Sequence, residues 1–351
     1  MNLHPEIAQA QVAWRSPSNI ALVKYWGKYG NQLPCNASVS FTLTHAHTDM
    51  AIAYSPKNVN EQGVSLNFMF EGQENAKFAQ KIQVFLESLL PIFPFLSQIH
   101  LNIRSSNSFP HSSGIASSAS SMSALALCLC SIEQQLSKQI VPNEQFLRKA
   151  SEIARLGSGS AARSVYPYAA VWGYHNNIAH SANEYAIPFA MHPYFNTYHN
   201  TILIVSRAEK SVSSRAGHAL MNNHPYADTR YRQANAQLDN LAHILQTADV
   251  EGFIQIVENE ALSLHGLMLN STPSFILLHP NTLHIINQVR AFRQSTNIPV
   301  CFTLDAGPNV HLLYPAEFAQ PIQQFIKTQL LHYCQDNYFI EDIVGSGAVA
   351  L

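Results

Sequence analysis

The chain is 351 residues long, carries a formal net charge of −2 and is only 12% charged, about half the usual share. With no block of lysine or arginine it lacks the electrostatic footprint of a nucleic-acid or anionic-membrane binder, whereas a small anionic substrate needs only local positive charge. Five scattered cysteines without a Cys-x-x-Cys pair point to a reduced, cytoplasmic protein rather than a disulfide framework, and no apolar run has the length of a membrane span or signal segment.

Taken in chain order, apolar segments predict strands at Asn19–Tyr25, Ser38–Leu43, Met50–Tyr54, Val64–Phe70 and His100–Arg104, with a helix over Glu74–Leu89. A serine-rich loop follows, and its helix runs to about Leu136. Pro142 and Asn143 start a further helix, which Gly157-Ser158-Gly159-Ser160 breaks. Trp172 to Pro188 reads as a strand pair joined by a polar turn near Asn176-Asn177. The composition shifts around Pro188–Tyr198, which places a domain boundary there and divides the chain into residues 1–190 and 191–351. The second part reads as a strand at Thr201–Ser206, helices at Tyr231–Gln246, Val250–Leu269 and His279–Ser295, strands at Val300–Asp305 and His311–Tyr314, and a helix from Ala316 to about His332. Helices and strands alternate without a regular βαβ beat, which favours an α+β fold over a doubly wound sheet.

Four segments carry the residue types that phosphate chemistry needs. At the end of the first strand, Lys24-Tyr25-Trp26-Gly27-Lys28 puts two cations and two large rings at one mouth, and lysine is a compact charge suited to phosphate. The loop Phe109-Pro110-His111-Ser112-Ser113-Gly114-Ile115-Ala116-Ser117-Ser118 then opens a helix whose free N–H groups would face an anion. Ten of the nineteen residues from Ser105 to Ser123 are serine, which adds hydroxyl donors, and no Gly-Lys-Ser/Thr follows to make a Walker A loop. In the third segment, Gly157-Ser158-Gly159-Ser160 with Arg163, an arginine just inside a Gly/Ser turn can fork onto phosphate. The fourth, Asp305-Ala306-Gly307-Pro308-Asn309, sets an acid at the end of an apolar strand. Taken singly, each also suits a blander role: a solvated strand end, a Ser-capped buried helix, a capping turn with a surface Arg, an Asx turn. Arg230 and Arg232, beside Tyr231, read as a helix start with a solvated face.

Together, in this order, the segments resemble a known family. The serine loop resembles the Pro-x-x-x-Gly-(Leu/Ile)-x-Ser-Ser-Ala phosphate loop of the GHMP kinase superfamily. Val23-Lys24-Tyr25-Trp26-Gly27-Lys28, Leu33-Pro34-Cys35-Asn36-Ala37-Ser38, the Gly157 turn with Arg163, and Asp305-Ala306-Gly307-Pro308-Asn309 resemble its mevalonate diphosphate decarboxylase branch. The chain departs from the family in having His111-Ser112-Ser113 where members often have Thr-Ala-Ala, and Ala162 for a frequent Cys.

The resemblance implies a GHMP kinase fold, with an N-terminal domain like ribosomal protein S5 domain 2, a C-terminal ferredoxin-like domain and the active site between them. It implies Asp305, Lys24 and Arg163 as catalytic residues. Tyr25, Lys28, Ser158 and Ser160, with Ser214 and Arg215, would bind substrate; Ser112, Ser113, Gly114, Ala116, Ser117 and Ser118 would hold the nucleotide. ATP and Mg²⁺ are implied, with Ser118 a candidate ligand for the magnesium that ATP carries, and so is a cytoplasmic homodimer acting on mevalonate 5-diphosphate without nucleic acid or membrane. The alternatives are a relative that phosphorylates C3 without decarboxylating, one that takes mevalonate 5-phosphate, or a non-catalytic binding protein.

Overall fold

The computed structural model describes residues 9–58, 62–109, 117–208 and 214–351. Strand β1 (Ala10–Val23) leads through the short pair β2 (Lys28–Tyr29) and β3 (Leu33–Pro34) into β4 (Ser38–Pro56), which runs antiparallel to β1. Strands β5 (Ser65–Phe70) and β6 (Gln73–Glu74) extend the same sheet beyond β7 (Ile99–Asn107), while β8 (Ala169–Trp172) attaches to β4 and β9 (Ala186–Pro188) to β8. Helices α1 (Ala76–Ser88), α2 (Ser117–Ser137) and α3 (Asn143–Gly157) close its core, where Ile52, Leu101 and Ile103 meet Leu125, Leu129 and Ile153. Helix α2 is buried on most of its faces, which explains its nearly continuous apolar run.

The segment 38–54, read from sequence as two strands, is one. Between the pairs Pro17↔His47 and Asn19↔Thr42 the β1–β4 register slips, leaving the backbone around residues 43–46 without β1 partners. The fully buried carboxylate of Asp342 fills that gap, accepting the N–H groups of Thr44, His45 and Ala46 at 2.8, 2.8 and 2.7 Å. A side chain thus replaces a strand partner and satisfies buried donors.

After the short helix α4 (Pro193–Asn196) and strand β10 (His199–Leu203) come α5 (Ser214–Ala219), α6 (Ala227–Thr247), α7 (Val250–Leu269) and α8 (Pro280–Thr296). Asp249 caps α7 by accepting the Gly252 N–H at 3.0 Å. Strands β11 (Cys301–Leu304) and β12 (Val310–Tyr314), helix α9 (Ala319–Phe325) and strand β13 (Phe339–Ile343) complete a second, antiparallel sheet ordered β11-β12-β10-β13. Its faces alternate with period two: Ile202, Cys301 and Leu313 pack with Leu238 and Phe253 of α6 and α7, whereas Leu203, Phe302 and Leu312 pack with Ile286 and Phe325 of α8 and α9. The first of these cores also takes in Val39, Phe41 and Leu43 of β4, so the two sheets share an apolar seam.

Three further expectations change. The strand pair near 172–188 is Ala169–Trp172 with Ala186–Pro188, and the polar stretch between is a long loop pinned by Trp172 Nε1 on the Asn183 carbonyl at 2.8 Å. The C-terminal helical run, Ala316 to Tyr333, is continuous but has α geometry only over α9, which buries Ile322 and Phe325; 3-10 turns cap it at both ends and a π stretch, Ile326–Leu330, buries Ile326 and Leu330. Strands β13 and β14 (Val349–Ala350), neither anticipated, follow; β14 pairs with β1 through Trp14↔Ala350 and Arg15↔Val349. Its hydrogen bonds put residues 349–350 on the first sheet, although a division at 190/191 assigns them to the second part.

Candidate active site

One pocket gathers side chains from both sheets. It is lined by Asn19, Lys24, Tyr25, Trp26, Lys28, Ser118, Ser158, Ser160, Arg163, His218 and Asp305, among others. Lys24 is the first residue past β1 and Asp305 the first past β11, so two strand ends bring them together: Lys24 Nζ lies 3.0 Å from Asp305 Oδ1. Lys24 is buried, and burial pulls its pKa below the usual lysine range, a pull that Asp305 first and Glu260 second oppose. The turn after Asp305 is fixed by the Gly307 N–H on its carbonyl at 2.7 Å, and His265 Nε2 lies 3.1 Å from the same oxygen.

Arg163 sits in the 3-10 turn Gly159–Arg163 and is almost fully buried. Its Nε donates to Ser40 Oγ at 3.0 Å, Nη1 to Ser38 Oγ at 2.5 Å and Nη2 to Asn19 Oδ1 at 3.3 Å. These are neutral oxygens, and among the described residues no carboxylate lies within ion-pair distance of the guanidinium. Burial pulls its pKa down to about 10, against the opposing influence of Tyr25 and Asp305. The rings of Tyr25 and Trp172 also face the guanidinium, their centroids 5.6 and 6.0 Å from Cζ.

The Tyr25 ring meets Trp172 edge-on with centroids 4.8 Å apart and stacks on His218 at 4.8 Å. Burial pushes the Tyr25 phenol up to about 12, so it is a neutral donor. Gly159 makes this packing possible: a Cβ there would stand 2.6 Å from Trp172 and 2.9 Å from the Tyr25 hydroxyl. His218 receives the Gly27 N–H on Nδ1 at 3.0 Å, which leaves the ring proton on Nε2. Burial, with Lys28 adding to it, holds the His218 pKa well below the ordinary histidine value. Ser118 Oγ and Ser158 Oγ lie 3.2 Å apart at the pocket edge, and Lys28 Nζ reaches Gln32 Oε1 at 2.7 Å.

The structure therefore brings together Asp305, Lys24, Arg163, Tyr25, Lys28, Ser158, Ser160 and Ser118. Ser117 opens α2 outside this lining, and its carbonyl accepts the Ser121 hydroxyl at 2.6 Å. Ser112, Ser113, Gly114 and Ala116 lie outside the described residues, as do the side chains of Ser214 and Arg215, whose backbone opens α5.

Comparison with known proteins matches residues 16–183 to the diphosphomevalonate decarboxylase-like N-terminal domain and residues 200–345 to the mevalonate 5-diphosphate decarboxylase C-terminal domain. The chain belongs to the mevalonate diphosphate decarboxylase family. It is 28% identical to the diphosphomevalonate decarboxylase of Saccharomyces cerevisiae, over 89% of this chain and 79% of the yeast protein. To the human one it is also 28% identical, over 86% of this chain and 76% of that protein. Among solved structures, the mevalonate diphosphate decarboxylase of Staphylococcus aureus superposes with a TM-score of 0.84 at 27% identity, covering 98% of each chain. A structure described as MDDEF in complex with MVAPP, AMPPCP and magnesium gives 0.83 at 26% identity, covering 98% of this chain and 99% of the other. The α+β, GHMP-type architecture of this decarboxylase family is thus the fold of the chain.

Sequence reasoning missed several members of the site. Arg230, read as solvated, is 3% exposed and paired with Glu260 on α7, behind Lys24. Glu260 did carry a signal: like Glu258, it is an acid set among the apolar residues Phe253, Ile256, Val257, Ala261 and Leu264 of α7. His218 and Ser40 carried none, because their roles depend on partners 123 to 191 positions away.

Proposed function

We propose that this member of the family catalyses the ATP-dependent decarboxylation of mevalonate 5-diphosphate to isopentenyl diphosphate, ADP, phosphate and CO₂ through phosphorylation at C3. The observation that carries the reading is the Lys24–Asp305 contact at 3.0 Å in one pocket with an Arg163 that lacks a carboxylate partner among the described residues. A tertiary alcohol is a poor leaving group, so the hydroxyl must first be activated. Asp305 orients the C3 hydroxyl and accepts its proton as the γ-phosphoryl group moves to that oxygen. Lys24 fixes the orientation of the carboxylate by holding Oδ1. Arg163 keeps the substrate's carboxylate or diphosphate in register, which makes the following step effectively intramolecular. As phosphate leaves with the C–O electron pair, the C–C bond to the carboxylate breaks, its electrons form the new double bond, and CO₂ departs.

Tyr25, Lys28, Ser158, Ser160, Ser214 and Arg215 are assigned to substrate, and the serine loop through Ser118 to the nucleotide. The donor-rich lining suits anionic ligands. Magnesium carried on ATP would take Ser118, at the pocket edge beside Ser158, as its protein ligand and offset charge on the transferring group. The reading also includes a nucleotide-binding part at 1–190, a second part at 191–351, a homodimer and a cytoplasmic location. No helix among the described residues is long and apolar enough to cross a membrane.

The test is to incubate the protein with Mg-ATP and either mevalonate 5-diphosphate or mevalonate 5-phosphate and to quantify ADP and CO₂ together. Equal amounts of both, with the diphosphate preferred, are expected. ADP without CO₂ would make it a C3 kinase, preference for the monophosphate would change the substrate, and neither product would leave a binding protein.

A further inference from the structure

Lys24 stands where the β1–β4 ladder has just ended at Val23↔Val39, so its peptide groups have no strand partner. They are instead held by a buried ion pair from the other half of the molecule. Glu260 Oε2 accepts the Lys24 N–H at 2.9 Å, and Arg230 Nη2 donates to the Lys24 carbonyl at 3.0 Å. The two side chains grip each other bidentately, Nη1 to Oε1 at 2.7 Å and Nη2 to Oε2 at 2.6 Å. Glu260 is 0% and Arg230 3% exposed, and Arg230 Nε is buried with no hydrogen-bond partner. Asn36 Nδ2 completes the arrangement on the Lys24 carbonyl at 3.1 Å.

A buried ion pair is a poor way to gain stability, because desolvation cancels most of its attraction and apolar residues of similar volume serve as well or better. The orphaned Arg230 Nε adds a further cost. What the pair does supply is direction, since a planar fork and a carboxylate have one good mutual geometry. That geometry is transmitted to both polar groups of one residue, whose Nζ then meets Asp305.

We propose that Arg230 and Glu260 are positioning residues: they clamp the Lys24 backbone from α6 and α7 and so fix the distance and angle at which its ammonium meets Asp305 when the second half of the chain is docked on the first. The inference rests on the reading of Lys24 and Asp305 as the reacting pair. A displacement of about 1 Å at such a site costs on the order of a hundredfold in rate, whereas loss of the pair as a mere stabiliser would leave the rate of the folded fraction unchanged.

The experiment replaces the pair by apolar residues of similar size, Arg230→Met with Glu260→Leu, in the full chain. The expected result is a folded enzyme whose kcat falls about 10- to 100-fold while KM for ATP and for mevalonate 5-diphosphate each stay within about threefold. Amide hydrogen exchange at Lys24 should quicken at least about tenfold, since its N–H has lost its acceptor. A folded variant with kcat within about twofold of the parent, or with Lys24 equally protected, would overturn the proposal. Should the double variant not fold, Arg230→Lys is measured the same way, because a single ammonium nitrogen lacks the rigid two-nitrogen fork that grips both Glu260 oxygens and reaches the Lys24 carbonyl. If the unaltered protein yields neither ADP nor CO₂, the functional reading has failed; Lys24 exchange in the same variants then decides the clamp by itself.

Discussion

A methyl group is enough to test the packing at Gly159. The Cβ of alanine there would meet the Trp172 ring and the Tyr25 hydroxyl at distances no real Cβ keeps, so Tyr25 must move into the pocket or the Gly159–Arg163 turn must shift. We expect Gly159→Ala to destabilise the protein by about 1–3 kcal/mol and to raise KM for mevalonate 5-diphosphate more than KM for ATP; thermal denaturation with paired KM measurements checks this. Lys24, Tyr25, Arg163 and Asp305 were legible in the sequence because each sits in a short contiguous motif whose residue types are unusual together. Arg230 was not: nothing in the run Asp228-Thr229-Arg230-Tyr231 tells that its partner lies one helix further on, 30 positions away.

The elements owe their junction to another side chain that no local pattern reveals. Asp342 lies on β13 of the second sheet, yet its carboxylate takes three backbone N–H groups of β4 in the first. Hydrogen bonds to a charged acceptor are worth roughly 1.5–3 kcal/mol each, and buried donors left without one cost a comparable amount. Asp342→Ala should therefore destabilise by at least about 3 kcal/mol, a loss read from urea denaturation, and Asp342→Asn by less, because one amide oxygen still accepts. The same contact explains why the sequence breaks 38–54 into two strands. The polar run Thr44-His45-Ala46-His47 is where the ladder does slip, but its replacement partner comes from almost 300 positions away. The long helices α6, α7 and α8 were legible to within a few residues because their apolar periodicity is self-contained, whereas β14 is two residues long and exists only through β1.

For the molecule as a whole, buried neutral histidines make stability depend on pH. His311 on β12 is buried, places Nδ1 3.1 Å from Asn200 Oδ1, and has its pKa pulled by burial down to about 4. Unfolded chains bind that proton near pH 6.5, so between pH 6.5 and 4 the unfolded state holds more protons and stability falls as pH falls, fully lost below the folded value. The contribution of His311 over this window is on the order of 3 kcal/mol, and His218, whose pKa is also held low, adds to the slope in the same sense. Unfolding free energy measured from pH 7 to 4 should decline accordingly, and His311→Asn should flatten the decline; an unchanged slope would contradict it.

In the proposed reaction the carboxylate at the end of β11, held from the other sheet by Lys24, activates a hydroxyl. The most direct measurement is steady-state kinetics of Asp305→Asn, which keeps the shape of the side chain and removes its capacity to accept a proton. The expected result is a fall in kcat of at least about a thousandfold, with KM for ATP and for mevalonate 5-diphosphate within a few-fold of the parent and ADP and CO₂ lost in equal measure. A variant that retains kcat within about tenfold, or that loses CO₂ while still forming ADP, would contradict it.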